Sequence, residues 1–256
     1  NDYKSNVAQI KMLEINLGNE CNFQCVYCNP KFSSKWENDI RKKKYKIFSD
    51  KDVYAISKKN KEVNTANMEV IAGKYNRLQI IGGEPLTNKN LWPLLEKVSC
   101  DTLMVSTNLS CDKETIDRLL SLSKNYKELI FGVSIDATKN ITEFVRYGIE
   151  YDKFIDNVQY IIDNSSSNVK IQVLSLMTSV TIRDIENFTT VVTNWHAKMP
   201  NLIWDIYYCK TPLTQSFYTL PDIYKSSIIK QFEQIKKLDY VLGVDSLLSA
   251  LSTYKF

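Results

Sequence analysis

Three cysteines near the start of the chain give the strongest chemical signal in the sequence. Cys21, Cys25 and Cys28 follow the pattern C-x3-C-x2-C, and the other three cysteines of the chain are isolated. Cysteine thiolates are the usual ligands of iron–sulfur clusters. Three thiolates on one loop leave one iron of a four-iron cluster without a protein ligand. The pattern therefore predicts a cluster whose open iron can bind a small molecule.

Other uses of these thiols fit the sequence less well. A disulfide framework is typical of small secreted proteins, whereas this chain has 256 residues and opens Asn-Asp-Tyr-Lys, without the apolar stretch of a secretory signal. A structural zinc ion needs four ligands, so the fourth would come from the single histidine, His196, or from a distant cysteine. We expect His196 to have a structural or surface role, and Cys100, Cys111 and Cys209 to be small buried residues.

Strand-like and helix-like segments alternate along most of the chain and must position these residues. Strands are predicted at 12–17, 78–81, 102–106, 129–135, 169–177 and 202–208, and helices at 35–59, 91–98, 113–122, 151–163 and 182–195. Such alternation predicts an α/β fold with a parallel sheet, open or curled into a barrel, and functional loops at the carboxyl ends of the strands.

The end of the chain has a different pattern. Pro212 and Pro221 bracket a loop, and Asp222 is predicted to cap a helix whose apolar face contains Tyr224, Ile228, Phe232 and Ile235. We therefore expect a core over residues 1–210 and a C-terminal helical extension over residues 211–256.

Charge and hydropathy exclude several classes of protein. A net charge of +4 is too small to indicate nucleic-acid binding. The longest uncharged stretch is twelve residues, 171–182, and a membrane span needs about 20, so a cytoplasmic protein is expected. Residues 41–62 carry an excess of six positive charges. A solvated helix face is the first interpretation of that segment, and an anion-binding patch is the second.

Further polar groups follow the predicted strands in order. Ile81-Gly82-Gly83-Glu84-Pro85 follows the second strand, Ser106-Thr107-Asn108 ends the third, Ser134-Ile135-Asp136 ends the fourth, and Arg146 comes twelve residues after Ser134. Glycines allow a close backbone approach or a positive φ. Each group alone has an ordinary explanation as a loop, a helix cap or a surface charge. Their joint occurrence after the cysteine motif makes chance a poor explanation.

With Tyr27 directly before the last cysteine, this order of motifs resembles the radical S-adenosylmethionine (SAM) superfamily over roughly residues 10–210. The resemblance implies a partial (β/α)6 barrel, a [4Fe–4S] cluster on Cys21, Cys25 and Cys28, and SAM bound at the open iron. It also implies an electron donor such as flavodoxin or ferredoxin, reductive cleavage of SAM, and removal of a substrate hydrogen by the 5′-deoxyadenosyl radical. Because cluster and SAM carry the difficult step, no further catalytic residue is expected.

The same resemblance implies which residues contact SAM. Glu84 would receive the methionine amino group, Arg146 its carboxylate, and the polar residues after the third strand the ribose. The expected contacts are Tyr27, Gly82, Gly83, Glu84, Ser106, Asn108, Ser134, Asp136, Arg146 and Leu176.

The substrate is less well defined by the sequence. Stretches at 13–19, 34–36, 82–86, 107–109 and 143–147 resemble the twitch-domain subgroup, close to the SPASM group that modifies peptides. No second cysteine-rich segment for an auxiliary cluster is visible in this sequence. A peptide or protein substrate fits the subgroup, and a small anionic metabolite fits the basic segment. The alternative from another class is a non-catalytic scaffold stabilised by iron–sulfur or zinc, in which the SAM residues would have no reason to converge on one cleft.

Overall fold

The structure, a computed structural model, describes residues 11–42 and 74–253 and is built around one large parallel sheet. Its strands are β1 (Met12–Asn16), β3 (Lys74–Ile81), β4 (Ser99–Thr107), β5 (Glu128–Ser134), β7 (Val169–Met177), β8 (Ile203–Tyr208) and β9 (Val241–Leu242). They lie in the order β1-β3-β4-β5-β7-β8-β9, and every neighbouring pair is parallel. The predicted α/β partial barrel is confirmed, with β1 and β9 as the edges of the described sheet.

Helices cover the outer face of this sheet. They are α1 (Ser34–Arg41), α2 (Leu91–Leu95), α3 (Lys113–Ser121), α4 (Lys139–Val145), α5 (Tyr151–Asn164) and α6 (Ile185–Lys198). Asp112 caps α3 as predicted, because its Oδ1 accepts from the backbone N–H of Thr115 at 2.8 Å. Along β7, residues alternate strictly between buried and half-buried. One face of the strand therefore packs under helices, and the other face is left open to the inside of the partial barrel.

A second, two-stranded sheet was not predicted. β2 (Gln24–Cys25) pairs antiparallel with β6 (Arg146–Tyr147), and Cys25 lies opposite Arg146. Two-residue strands carry no periodic pattern, so only the pairing itself reveals them. This small sheet fixes the cysteine loop against a segment that lies more than a hundred residues further along the chain.

The segment after β8 contains α7 (Asp222–Ile235), β9 and α8 (Val244–Thr253). β9 extends the main sheet beside β8. The cap prediction for α7 is wrong: Pro221 occupies the cap position, and the carboxylate of Asp222 pairs with Lys225 instead. Ile228, Phe232 and Ile235 are buried as expected, but Tyr224 is exposed.

Other predicted boundaries differ from the structure in length. α2 ends at Leu95, and a 3-10 turn at Thr181–Asp184 precedes α6. The predicted helix at 35–59 is described only as α1. Most of the basic segment at 41–62 lies outside the described residues. In the ranges 11–42 and 74–253, no helix combines the length and apolar character needed to span a membrane.

Candidate active site

The loop between β1 and α1 carries the three cysteines and is held by the start of α1. The Ser34 hydroxyl accepts from the backbone N–H of Cys21 at 3.1 Å, and the Trp36 indole donates to the carbonyl of Cys25 at 3.0 Å. Ser33 caps α1, and its hydroxyl donates to the carbonyl of Phe23 at 2.6 Å. Phe23 is itself buried. A hydrophobic anchor and a helix cap therefore fix the loop from within.

One cavity of about 390 Å³ receives the side chains of this loop at the carboxyl ends of the strands. Of the thirteen residues predicted for cofactor binding, ten line it: Cys21, Cys25, Tyr27, Cys28, Gly82, Gly83, Ser106, Asn108, Ser134 and Arg146. We call it the cofactor cavity. Thr211, in the loop after β8, also lines it and was not predicted. Its position just after a strand end was the available signal.

The two glycines after β3 bring the backbone into direct contact with the cysteine loop. Gly82 has φ +147°, and the N–H of Gly83 donates to the carbonyl of Gly18 at 2.9 Å. A Cβ on Gly83 would lie 2.2 Å from the carbonyl oxygen of Glu20. Glycine is therefore required here because the loop backbone packs against this turn.

Glu84 is buried and joins its own loop to the residues at the end of β4. Its Oε1 accepts from the Thr107 hydroxyl at 2.7 Å and from the Leu86 N–H at 3.0 Å, while Oε2 accepts from the Asn108 N–H at 2.6 Å. Burial raises the pKa of Glu84 to about 6, against the effect of these hydrogen bonds. Glu84 thus lies next to residues that line the cavity, and it orders those after β4.

Asp136 is fully buried and organises the other side of the cavity. Arg146 donates to both of its oxygens, from Nε at 2.8 Å and from Nη2 at 3.0 Å. The Tyr27 hydroxyl donates to it at 2.6 Å, and the backbone N–H of Leu176 at 2.8 Å. The guanidinium predicted to hold a carboxylate of SAM is therefore already paired with Asp136, and Asp136 reaches the cavity only through Tyr27 and Arg146.

A second, larger cavity of about 560 Å³ adjoins the first inside the partial barrel. We call it the interior cavity. Ser134 and Arg146 line both cavities, and Leu176 lines only this one. Its other walls are side chains of the strands: Met12, Arg77, Gln79, Met104, Gln172, Leu174, Ser175, Asp205 and Tyr207. Sequence reasoning missed this cavity, although polar residues at every second position, as at Arg77 and Gln79, were a visible signal.

The remaining cysteines and the histidine lie elsewhere. Cys100 and Cys209 are buried, and Cys111 is partly buried against the core. His196 stacks on Tyr240 with ring centroids 3.9 Å apart, and its Nδ1 lies 3.2 Å from the carbonyl of Leu202. None of these four residues lines either cavity.

The donor set of the cofactor cavity suits an iron–sulfur cluster better than a single ion. In the part of the chain that the structure describes, no group of three or more His, Cys, Asp or Glu side chains is arranged to hold one metal ion. Three thiols around one cavity instead match a cluster, because each cysteine binds a different iron. Burial raises the pKa of Cys25 to about 12, with the charge of Arg146 opposing. Coordination to a metal deprotonates such a thiol.

A parallel α/β sheet with a three-thiol cavity at its carboxyl edge defines an iron–sulfur enzyme of the partial-barrel class. The family model of the radical SAM superfamily matches residues 15–191. The chain belongs to the radical SAM superfamily, and its cofactors are a [4Fe–4S] cluster and SAM.

The chain is similar to curated relatives in sequence and to solved structures in fold. A GTP 3′,8-cyclase of Staphylococcus carnosus is 24% identical over 204 residues, covering 66% of this chain and 54% of its own length. The chain thus spans about half the length of that relative. Streptococcus suis SuiB bound to SAM has a TM-score of 0.53 at 15% identity, covering 89% of this chain and 47% of SuiB. SuiB bound to its precursor peptide SuiA has a TM-score of 0.55 at 13% identity, with coverages of 96% and 53%.

Proposed function

We propose that this enzyme cleaves SAM reductively and removes a hydrogen atom from a substrate held in the interior cavity. The observation that carries the proposal is that residues from the cysteine loop, β3, β4, β5 and β6 line one cavity, which shares Ser134 and Arg146 with a second cavity. A scaffold without catalytic function has no need for this convergence.

The chain's own residues bind and orient the two reaction partners. When bound, the cluster supplies an electron for cleavage of the sulfonium–carbon bond of SAM. Cys21, Cys25 and Cys28 would hold the cluster, while Ser106 and Asn108 present polar groups to the ribose. Asn108 is held in place, since its Nδ2 donates to Asn22 at 2.9 Å and its Oδ1 accepts from the Ser110 hydroxyl at 2.7 Å.

Arg146 and Glu84 have narrower roles than their residue types alone suggest. Arg146 places its positive charge at the cofactor cavity, and the ion pair with Asp136 fixes the orientation of its guanidinium. Glu84 Oε2 has one donor, Asn108, among the described residues, and the carboxylate has capacity for a second at that oxygen. We propose that Glu84 accepts from the methionine ammonium of SAM at this position.

Two substrate classes are supported by different observations. The solved SuiB complex holds a precursor peptide, and the twitch-type stretches of this chain favour the same class. The Staphylococcus carnosus relative is named for GTP, and the polar interior cavity favours a compact anionic metabolite. We propose a compact anionic substrate, a flavodoxin- or ferredoxin-type electron donor and a cytoplasmic location.

Anaerobic reconstitution tests the proposed function. The reduced cluster should give an electron paramagnetic resonance signal that changes when SAM is added, and 5′-deoxyadenosine should form under reducing conditions. Cys25→Ala should abolish 5′-deoxyadenosine formation, because one iron loses its protein ligand. An unchanged signal on SAM addition would contradict the proposal.

Cys100→Ala provides the matched control for Cys25→Ala. Cys100 is buried in β4 and lines neither of the two cavities. This variant should retain the signal change and SAM cleavage. Equal loss in both variants would indicate that cysteine replacement acts through folding rather than through the cluster.

A further inference from the structure

The interior cavity contains a cation that the described fold leaves without a charge partner. The Nε of Arg77 is buried and makes no hydrogen bond, and Nη2 contacts only the sulfur of Met104, at 3.2 Å. No carboxylate of the described residues forms an ion pair with this guanidinium. Thioether sulfur is a weak acceptor, so it is a poor partner for the guanidinium of this half-buried arginine.

The carboxylate of Asp205 lies on another wall of the same cavity and accepts from neighbouring side chains. Asp205 Oδ2 accepts from the Tyr207 hydroxyl at 2.5 Å and from Gln172 Nε2 at 3.1 Å. Burial, together with the hydrogen bond to Asp205, raises the pKa of Tyr207 to about 12, against the opposing charge of Arg77. Tyr207 therefore stays protonated and donates to Asp205. The other carboxylate oxygen, Oδ1, accepts no hydrogen bond from the described residues.

The Nε of Arg77 is unusual inside a protein, because more than about 90% of buried polar groups have a hydrogen-bond partner. Asp205 is half-buried and lines the same cavity, with one carboxylate oxygen that accepts from none of the described residues. Arg77 and Asp205 line one cavity, and no ion pair among the described residues joins them. A ligand that carries complementary groups would satisfy both at once. The volume of about 560 Å³ is in the range of small-molecule sites.

We propose that the interior cavity binds a dipolar part of the substrate, in which a carboxylate or phosphate accepts from Arg77 and an amine or hydroxyl donates to Asp205. The inference rests on the proposed function and deepens it, because the shared residues Ser134 and Arg146 place this ligand beside the cofactor cavity. Arg77 and Asp205 are then substrate-binding residues that set the orientation of the reacting carbon.

Small probes test the two poles separately. The protein is the reconstituted full chain with SAM and without reductant, and binding is measured by ligand-detected NMR and calorimetry. Phosphoethanolamine and β-alanine carry both groups, ethyl phosphate and propionate carry only the anion, and ethanolamine carries only the donor. Each dipolar probe should bind about tenfold more tightly than its single-group counterparts, because charge-assisted hydrogen bonds contribute at each pole. Stronger binding of phosphoethanolamine and ethyl phosphate would identify the substrate as a phosphorylated metabolite. Stronger binding of β-alanine and propionate would identify it as a carboxylate such as an amino acid.

Substitutions assign the poles to residues. Arg77→Met should weaken dipolar and anionic probes about tenfold, whereas Asp205→Asn should weaken the dipolar probes and ethanolamine but not the anionic probes, since it leaves the anion site intact. Arg77→Lys keeps the charge but loses the planar donor pair, and should give an intermediate affinity if Arg77→Met does not fold. Arg183→Met, at an exposed arginine outside the cavity, is the control and should bind all probes like the unmodified protein.

Two results would overturn the inference. One is that no dipolar probe binds better than its single-group counterparts. The other is that a folded Arg77→Met or Arg77→Lys variant, judged by its thermal unfolding, binds the anionic probes like the Arg183→Met control. Because no reductant is present, either result is independent of SAM cleavage, which the 5′-deoxyadenosine measurement tests by itself.

Discussion

The cofactor cavity and the interior cavity meet at Ser134 and Arg146, yet they are built in different ways. The cofactor cavity is formed by loops, and two buried carboxylates, Glu84 and Asp136, hold those loops through at least three donors each. The interior cavity is formed by strand side chains, and the Nε of Arg77 on its wall has no hydrogen-bond partner among the described residues. A fully paired network makes its members essential to the fold. Unpaired groups on rigid strands are free to bind a ligand.

Removing the charge of Asp136 should have the largest effect on the molecule. Asp136→Asn keeps the side-chain shape but supplies one carbonyl oxygen to four donors, and it leaves the buried Arg146 without a counter-charge. Breaking one partner of a buried ion pair costs about 3–5 kcal/mol. We expect a loss of unfolding free energy of that order, measured by denaturant titration of the apo protein.

The control for this prediction is an ion pair on the surface. Asp152 pairs with Lys139, and both side chains are exposed. Asp152→Asn should change the unfolding free energy little, because water screens exposed pairs. Equal destabilisation by the two substitutions would contradict the prediction that the buried network around Asp136 stabilises the fold more than an exposed ion pair does.

Much of the loop-built cavity was predictable, whereas the strand-built one was not recognised. Cysteine spacing, Gly82-Gly83 and the polar residues after each strand carry local signals, since parallel strands bring their carboxyl ends to one edge. The pairing of Asp136 with Arg146 has no such signal, because it depends on β6 meeting β2. Asp205 lies in a predicted strand and Arg77 directly before one, and only the curvature of the sheet brings them to one cavity.

Glu84 offers a test of intermediate size through pH. Burial raises its pKa from an ordinary 4.5 to about 6 in the folded protein, so the folded state binds this proton more tightly than the unfolded state does. The corresponding stability is complete below about pH 4.5 and is lost as the pH rises through about 6, a change of roughly 2 kcal/mol.

Glu84→Gln removes this titration and isolates its contribution. The variant starts less stable, because a glutamine amide leaves one of the three donors to Glu84 without an acceptor. Its stability relative to the unmodified protein should nevertheless improve by roughly 2 kcal/mol as the pH rises from well below 4.5 to well above 6, measured by chemical denaturation at constant ionic strength. Parallel pH curves for the two proteins would show that Glu84 does not titrate in this window.

A substitution at Gly132 should distinguish the two cavities with the smallest effect on stability. A Cβ at this buried position in β5 would lie 2.7 Å from the Cε of Met104 and 3.2 Å from the Cδ1 of Leu174, both ends of flexible side chains, and 3.3 Å from the backbone Cα of Ser106. Gly132→Ala should therefore cost about 1 kcal/mol, at the low end of the usual range for overpacking, and leave SAM cleavage intact. Because the sulfur of Met104 contacts Arg77, the affinity for ethyl phosphate should change. A loss of SAM cleavage as large as the change in probe affinity would contradict the prediction, because the substitution would then alter both cavities.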